Sequence, residues 1–395
     1  MFYGEKLSSL RELNGLSRKD LATRLNVTEQ AVWQYENDAT LPKIEVMNQL
    51  RTIFNVETKY FFTRNYLASE VSEERVAYRT TDRESRKKTK LEVTYLNYID
   101  YYIRYLEQNL IIPEAKINQL IQACQLILNN SNQSRSALIQ QVAAYARAEL
   151  GLQHNRDLMY VLEKSGIYIL EKNLGMQIDA YSTITKAQRP YIVLGTFKKS
   201  AVRRNFDIAH ELGHLLLHRT VDMSILTPAE LKAIEKEAHL FASAFLLPEA
   251  NFKVDFQKLR RKSNPDFYID LKRKYLVSLT ALEMRAYGLG LMSYQENRYF
   301  WGQLTKKDYK VNEPLDDEIP PIKPGKIRSL FKFVLDHQVI QLADLLGNFN
   351  ILPEFLSQLF NLDEHFFDQY LKPQQDYFSQ AVIDLDSFRQ KPLSE

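Results

Sequence analysis

His210-Glu211-Leu212-Gly213-His214 lies inside an apolar stretch, Phe206 to His218, whose composition suits a helix. On a helix, positions i and i+4 stack on one face, so His210 and His214 present ring nitrogens to one point. Glu211 sits one residue round, placed to take a proton from a water activated by a metal ion there. Two imidazoles and a carboxylate at this spacing form the pattern of a zinc peptidase helix. A pattern of five residues recurs by chance, so its surroundings decide what it means.

The preceding residues read as a sheet. Gly166 to Leu170, Gln177 to Ile184 and Pro190 to Leu194 are apolar or alternating and rich in β-branched residues. They are predicted as three strands, with turns at Gly175 and at Ala187-Gln188-Arg189. Such a layer walls one side of a peptidase cleft, and its edge takes an extended peptide by strand addition.

A third ligand is needed. A histidine six residues after His214 would mark a metzincin, but Thr220 stands there. The other source is a carboxylate on a following helix. Pro228 opens one, running through Leu231, Ile234, Ala238, Phe241, Ala242 and Phe245 to Leu246-Leu247-Pro248. Glu235 lies on its inner shoulder and Glu237 competes. Residues two apart on a helix point about 200° apart, so only one of them coordinates. Two histidines and one glutamate leave a fourth position for water. This donor set suits Zn²⁺ and also Mn²⁺ or Fe²⁺. His218 is about 12 Å along the helix from His210, out of reach of the same ion, and is expected to cap the helix or hold the next loop.

The string Arg204-x-Phe206-x-Ile208-Ala209-His210-Glu211-Leu212-Gly213-His214-x-x-Leu217-His218 resembles the metal helix of the ImmA/IrrE family of metallopeptidases. Glu235-x-x-Ala238-x-x-Phe241-Ala242-x-x-Phe245-Leu246-Leu247-Pro248 resembles that family's second signature. With the strands, the similarity covers about 134–248 and runs loosely to Leu291. The resemblance implies an α+β zincin-like core, Glu235 as third ligand and Glu211 as general base. It also implies a regulatory endopeptidase that cleaves a partner repressor and so switches on a mobile element or stress response. His239 stands where the family has Asn or Asp. It is expected either to orient a ligand histidine or to compete for the metal.

The first sixty residues read as short helices. Leu7, Leu10 and Leu13 recur at helical spacing. Ser17 is an N-cap before Leu21, Ala22 and Leu25, and Thr28 caps a helix over Glu29 to Tyr35. Ser17-Arg18-Lys19-Asp20-Leu21-Ala22, Val27-Thr28, Trp33-x-Tyr35-Glu36-Asn37 and Pro42 together resemble the phage-repressor (XRE) type of helix-turn-helix. That resemblance implies operator DNA as a partner. The expected contacts are Glu29, Gln30, Trp33 and Gln34 on the recognition helix, Thr28 at its start, and Arg18 and Lys43 beside phosphates. The alternative is a domain that binds only protein. The charge of residues 1–65 is nearly even, nine Lys and Arg against eight Asp and Glu, so charge alone does not decide.

The 395 residues suffice for several domains. We divide them into a helix-turn-helix domain (1–66), a charged linker with helices (67–132), a peptidase domain (133–300) and a helical C-terminal module (301–395). The expected fold class is multidomain and mainly α, with one small sheet in the peptidase core. Between Glu73 and Lys90, seven basic residues (Arg75, Arg79, Arg83, Arg86, Lys87, Lys88, Lys90) outweigh four acidic ones. This run is either a solvated linker or an added phosphate contact. Tyr95, Tyr98, Tyr101, Tyr102 and Tyr105 recur at helical spacing and are expected to pack. The segment from Tyr275 to Met292 reads as a helical hairpin with Ser278 as N-cap. Val339 to Leu346 with Leu352 to Leu359 resembles a degenerate helix-turn-helix or, more simply, a helical interaction module. Residues after Pro373 are expected to be loosely ordered.

The single cysteine, Cys124, excludes a disulfide framework. No run approaches the ~20 apolar residues of a membrane span, and no signal peptide is visible, so a cytoplasmic protein is expected. Its partners would be operator DNA and a protein substrate, a repressor or an antitoxin, with a homodimer as one assembly. Two other readings stay open: a regulator whose peptidase fold senses without turnover, and the protease-like half of a toxin–antitoxin pair.

Overall fold

The structure is a computed structural model that describes residues 1–64, 67–73, 83–129, 132–175, 178–197 and 200–371. Arg75 and Arg79 of the basic run, Gln177 at the head of the second strand, and the segment after Pro373 lie outside the described residues. The described residues are mainly helical with one small sheet.

Four helices open it: α1 (Gly4–Leu13), α2 (Arg18–Leu25), α3 (Glu29–Glu36) and α4 (Ile44–Phe54). Ser17 and Asp20 form a reciprocal capping box on α2, and the Thr28 hydroxyl accepts from Ala31 N at 3.1 Å to start α3. Asn26 takes the left-handed conformation (φ 51°) that ends α2. Then come α5 (Arg83–Glu107), α6 (Lys116–Leu128), α7 (Arg135–Leu150) and α8 (Leu158–Ser165). Strands β1 (Tyr168–Lys172), β2 (Ala180–Ile184) and β3 (Pro190–Gly195) follow. β3 is central, parallel to β1 and antiparallel to β2, which leaves β2 at an edge. β3 is buried along its whole length, as a central strand covered on both faces must be.

Next are α9 (Ala201–Leu217), α10 (Pro228–Leu246), α11 (Glu249–Gln257), α12 (Ile269–Tyr275), α13 (Leu279–Gly288) and α14 (Tyr294–Lys306). The described residues end with α15 (Lys326–Asp336), α16 (Leu342–Phe349), α17 (Pro353–Leu359) and α18 (Asp368–Leu371). The hairpin expected over Tyr275 to Met292 is instead the single helix α13. Leu276 (φ 50°) and Gly290 (φ 69°) break the chain on either side. The Ser278 hydroxyl does cap it, accepting from Ala281 N.

Strand alternation divides the sheet between two cores. Tyr168, Leu170, Tyr181, Tyr191 and Val193 face a core shared with α1–α5 and α15–α17. Ile169, Ile184, Ile192 and Leu194 face a core shared with α6–α14. The tyrosines of α5 pack as the sequence leads one to expect: Tyr95, Tyr98 and Tyr102 are buried, with Tyr102 edge-on to Phe349, Phe355 and Phe360. The C-terminal helices therefore pack on their own chain. Val56 and Ile351 form a β-bridge, flanked by Glu57 N donating to Asn350 O and Leu352 N donating to Asn55 O. In α17, Phe355, Leu356, Ser357 and Leu359 are buried.

Between the cores α5 lies on the sheet through buried polar contacts. Asp100, fully buried, accepts from Arg189 Nη1 at 2.8 Å and from the Tyr191 hydroxyl at 2.9 Å. Arg189 Nη2 also donates to Glu107 at 2.6 Å. Glu92 accepts from Lys172 at 2.8 Å and from the Tyr181 hydroxyl at 2.7 Å. Among the described residues no helix is long and apolar enough to cross a membrane.

Candidate metal centre and DNA-binding face

Residues 210–214 fall wholly within α9, which is buried on nearly every side. Ile208, Ala209, Leu212, Leu215 and Leu216 carry its apolar faces into the second core. α10 begins at a capping box of Thr227 and Glu230 with Pro228 in its first turn, and returns alongside α9. Gly213 and Ala238 set the spacing between them. A methyl group at Gly213 would stand 3.0 Å from the Phe241 ring and 3.4 Å from Ala238 Cα. The small residues at these two positions therefore let the helices approach closely enough for Glu235, one turn before Ala238, to face the histidines.

Two ring nitrogens and the Glu235 carboxylate converge there. His210 Nε2 and His214 Nε2 are 3.1 Å apart. Glu235 brings one oxygen to 3.2 Å from His210 Nε2 and the other to 3.5 Å from His214 Nε2. Donors about 2.0–2.1 Å from a tetrahedral ion stand about 3.3 Å apart, so the observed spacing fits a small divalent cation. His239, one turn after Glu235, is exposed on the same side. One ligand atom each of His210, Glu235 and His239 lie within 4.8 Å of one another, and the His239 and His210 ring centroids are 4.6 Å apart.

Glu211 is buried beside this cluster. Its Oε2 accepts from the Ser182 hydroxyl at 2.7 Å. Ser182 is in β2, and alternation puts it on the face that meets α9. The sequence reading missed this residue. Its one available signal was a small polar side chain at a core-facing position, between Ala180 and Ile184.

Glu237 points away from the cluster. It accepts from His218 Nε2 at 3.0 Å and forms a two-point pair with Arg135 of α7, Nη2 to Oε2 at 2.7 Å. Burial pushes the Glu237 carboxyl up, but the hydrogen bonds from Arg135 and His218 outweigh it and leave the group below its ordinary range. His218 is the C-cap of α9 and is buried. Burial first, then the neighbouring His214, pushes it down to about 4. Its Nδ1 lies 3.1 Å from His214 Nδ1. Cys124 is buried, which raises its thiol to about 12.

In the first domain, Glu29, Gln30 and Trp33 are exposed on α3 and Gln34 is half-buried, while Val32 and Tyr35 turn inward. Thr28 and Lys43 are exposed at the starts of α3 and α4. Arg18 Nε is held by Glu36 at 2.5 Å, and Arg11 also binds Glu36. Of the basic run, Lys87 and Lys90 of α5 line a cleft of about 810 Å³ with Arg11, Ser17, Arg18 and Glu29. Lys90 pairs with Glu12 at 2.8 Å.

Residues 7–61 match the family model of a helix-turn-helix. Residues 162–287 match a peptidase family model described as an IrrE N-terminal-like domain. His210, Glu211, His214, Ser182, Glu235 and His239 all fall within the second match, whereas Arg135 lies before it. No curated protein matches the chain.

Proposed function

We propose that this chain, which joins a helix-turn-helix to an IrrE N-terminal-like peptidase domain, is a DNA-binding regulator that hydrolyses a peptide bond in a partner protein. His210, His214 and Glu235 hold a divalent metal, and Glu211 is the general base. The observation that carries the reading is the convergence of two ring nitrogens, 3.1 Å apart, with the two oxygens of Glu235 at 3.2 and 3.5 Å from them, and a buried carboxylate beside them. When bound, Zn²⁺ supplies Lewis acidity toward water and a peptide carbonyl.

The protein's own groups do the rest. The Ser182 hydroxyl occupies Glu211 Oε2 and fixes the carboxylate plane, which leaves Oε1 to take a proton and return it to the leaving amine. The β2 backbone groups turned away from β3 offer an edge on which an extended peptide adds as a further strand. Glu29, Gln30, Trp33 and Gln34 face operator DNA, with Thr28 and Lys43 at the helix starts. The partner cleaved is a repressor or antitoxin of the same regulatory circuit.

One observation favours a second reading. His239 lies close enough to Glu235 and His210 to donate a fourth ligand. A site filled by four side chains is closed, as in structural zinc centres. The chain would then be a regulator without turnover.

The test is the metal content of protein purified without chelator, with His210→Ala and Glu235→Ala beside it. About one Zn²⁺ per chain, lost in both variants, supports the centre. No metal even after Zn²⁺ is supplied removes it. Cleavage of a partner that survives Glu211→Gln would refute the role of the base.

A further inference from the structure

The two histidines that face each other across the candidate centre are supported unequally. His210 Nδ1 is buried and has no hydrogen-bond partner among the described residues. His214 Nδ1 meets His218 Nδ1 at 3.1 Å, and from there a continuous path runs outward. His218 Nε2 meets Glu237 Oε2 at 3.0 Å, and Glu237 is gripped by Arg135 through three contacts of 2.7–3.1 Å. The path crosses three helices, α9, α10 and α7, and ends at the half-exposed rim.

With Glu237 ionised and His218 neutral, one assignment of protons satisfies every link. The ionised Glu237 carboxylate only accepts, so His218 Nε2 carries the hydrogen. A neutral His218 then has a bare Nδ1, which accepts, and His214 Nδ1 must donate. His214 is thereby fixed as the tautomer whose Nε2 lone pair is unprotonated, and that is the nitrogen facing His210 and Glu235. Arg135 balances the Glu237 charge, so the chain of contacts adds no net charge beside the donors.

We propose that His218, Glu237 and Arg135 are positioning residues that lock His214 as an Nε2 metal ligand, with the lock closed by α7, outside the matched peptidase domain. This rests on the metal reading above. Carboxylate partners beyond a ligand histidine set its orientation and basicity, and their loss weakens metal affinity by about 10–100-fold.

The experiment is Zn²⁺ affinity of the full chain by competition with a chromophoric chelator, read beside the Co²⁺ absorption spectrum and the melting temperature without metal. His218→Leu and Glu237→Gln are expected to raise the Zn²⁺ Kd by about 10–100-fold and alter the Co²⁺ ligand-field bands. Arg135→Ala, on the exposed rim and safe for folding, is expected to raise it several-fold. His218→Gln, which keeps an acceptor and a donor, should recover most of the loss. If the parent binds one Zn²⁺ and the variants bind it equally tightly, the lock is overturned while the centre stands. Lower melting temperatures with unchanged Kd overturn it in the same way and assign these residues to packing. If the parent binds no Zn²⁺, the centre fails and the lock with it.

Discussion

Replacing Asp100 by alanine tests whether α5 fastens the helix-turn-helix core to the sheet behind the candidate centre. Asp100 is fully buried and accepts two aligned hydrogen bonds, from Arg189 at 2.8 Å and Tyr191 at 2.9 Å. Its other oxygen faces Arg104 Nε at 3.0 Å as an ion pair without hydrogen-bond alignment. Removing one member of a buried charged pair costs about 3–5 kcal/mol, because the partner is left desolvated and unmatched. Arg189 keeps Glu107 at 2.6 Å and Arg104 keeps Glu70 at 3.1 Å, so the low end applies, about 3 kcal/mol. With about 2.1 cal/mol/K of unfolding entropy per residue over this length, one cooperative transition falls by about 3–4 °C. The assay is thermal unfolding followed by far-ultraviolet circular dichroism, completed as a double-mutant cycle with Arg189→Ala. The pair should show a coupling of about 2 kcal/mol. A drop under about 1 °C, or two effects that simply add, would refute the claim that this contact joins the two cores.

Two further outcomes follow from buried groups. Glu283 is fully buried, and that burial, offset in part by the Trp301 indole, pushes its carboxyl up to about 7. The native state then holds a proton that the unfolded chain releases near pH 4.5, so stability from this group is present at low pH and falls as pH rises toward 7. Urea unfolding of Glu283→Gln at about pH 8 should show a gain of about 1–3 kcal/mol that vanishes near pH 4, and a loss at pH 8 would contradict this. Gly213→Ala gains helix propensity of about 1 kcal/mol but presses a methyl group on Phe241, which is buried and stacked on Phe245. We expect a net loss of about 1 kcal/mol together with weaker Zn²⁺ binding, and equal or greater stability would show that the approach of the two helices is not tight.

The sequence by itself determined the local elements and the chemistry on them. The i, i+4 spacing of His210 and His214 is a property of one helix. So are the caps at Ser17, Thr28 and Ser278, and the alternation that marks the three strands. The choice between Glu235 and Glu237 was legible in outline, since residues two apart cannot share a face. Tertiary structure decided what depends on contacts between segments far apart in the chain. Ser182 meets Glu211 because an edge strand lies along the metal helix, and no spacing in sequence encodes that register. Glu237 finds a partner in Arg135, 102 residues away, only because α7 packs on α10. His218, which reads as a simple helix cap, becomes the link from His214 to that pair. The C-terminal helices read as a separate module, yet Phe349, Phe355 and Phe360 close on Tyr102 of α5. Apolar residues declare that they will be buried but not which surface will bury them, because hydrophobic burial is non-directional and the partner is chosen by the fold as a whole.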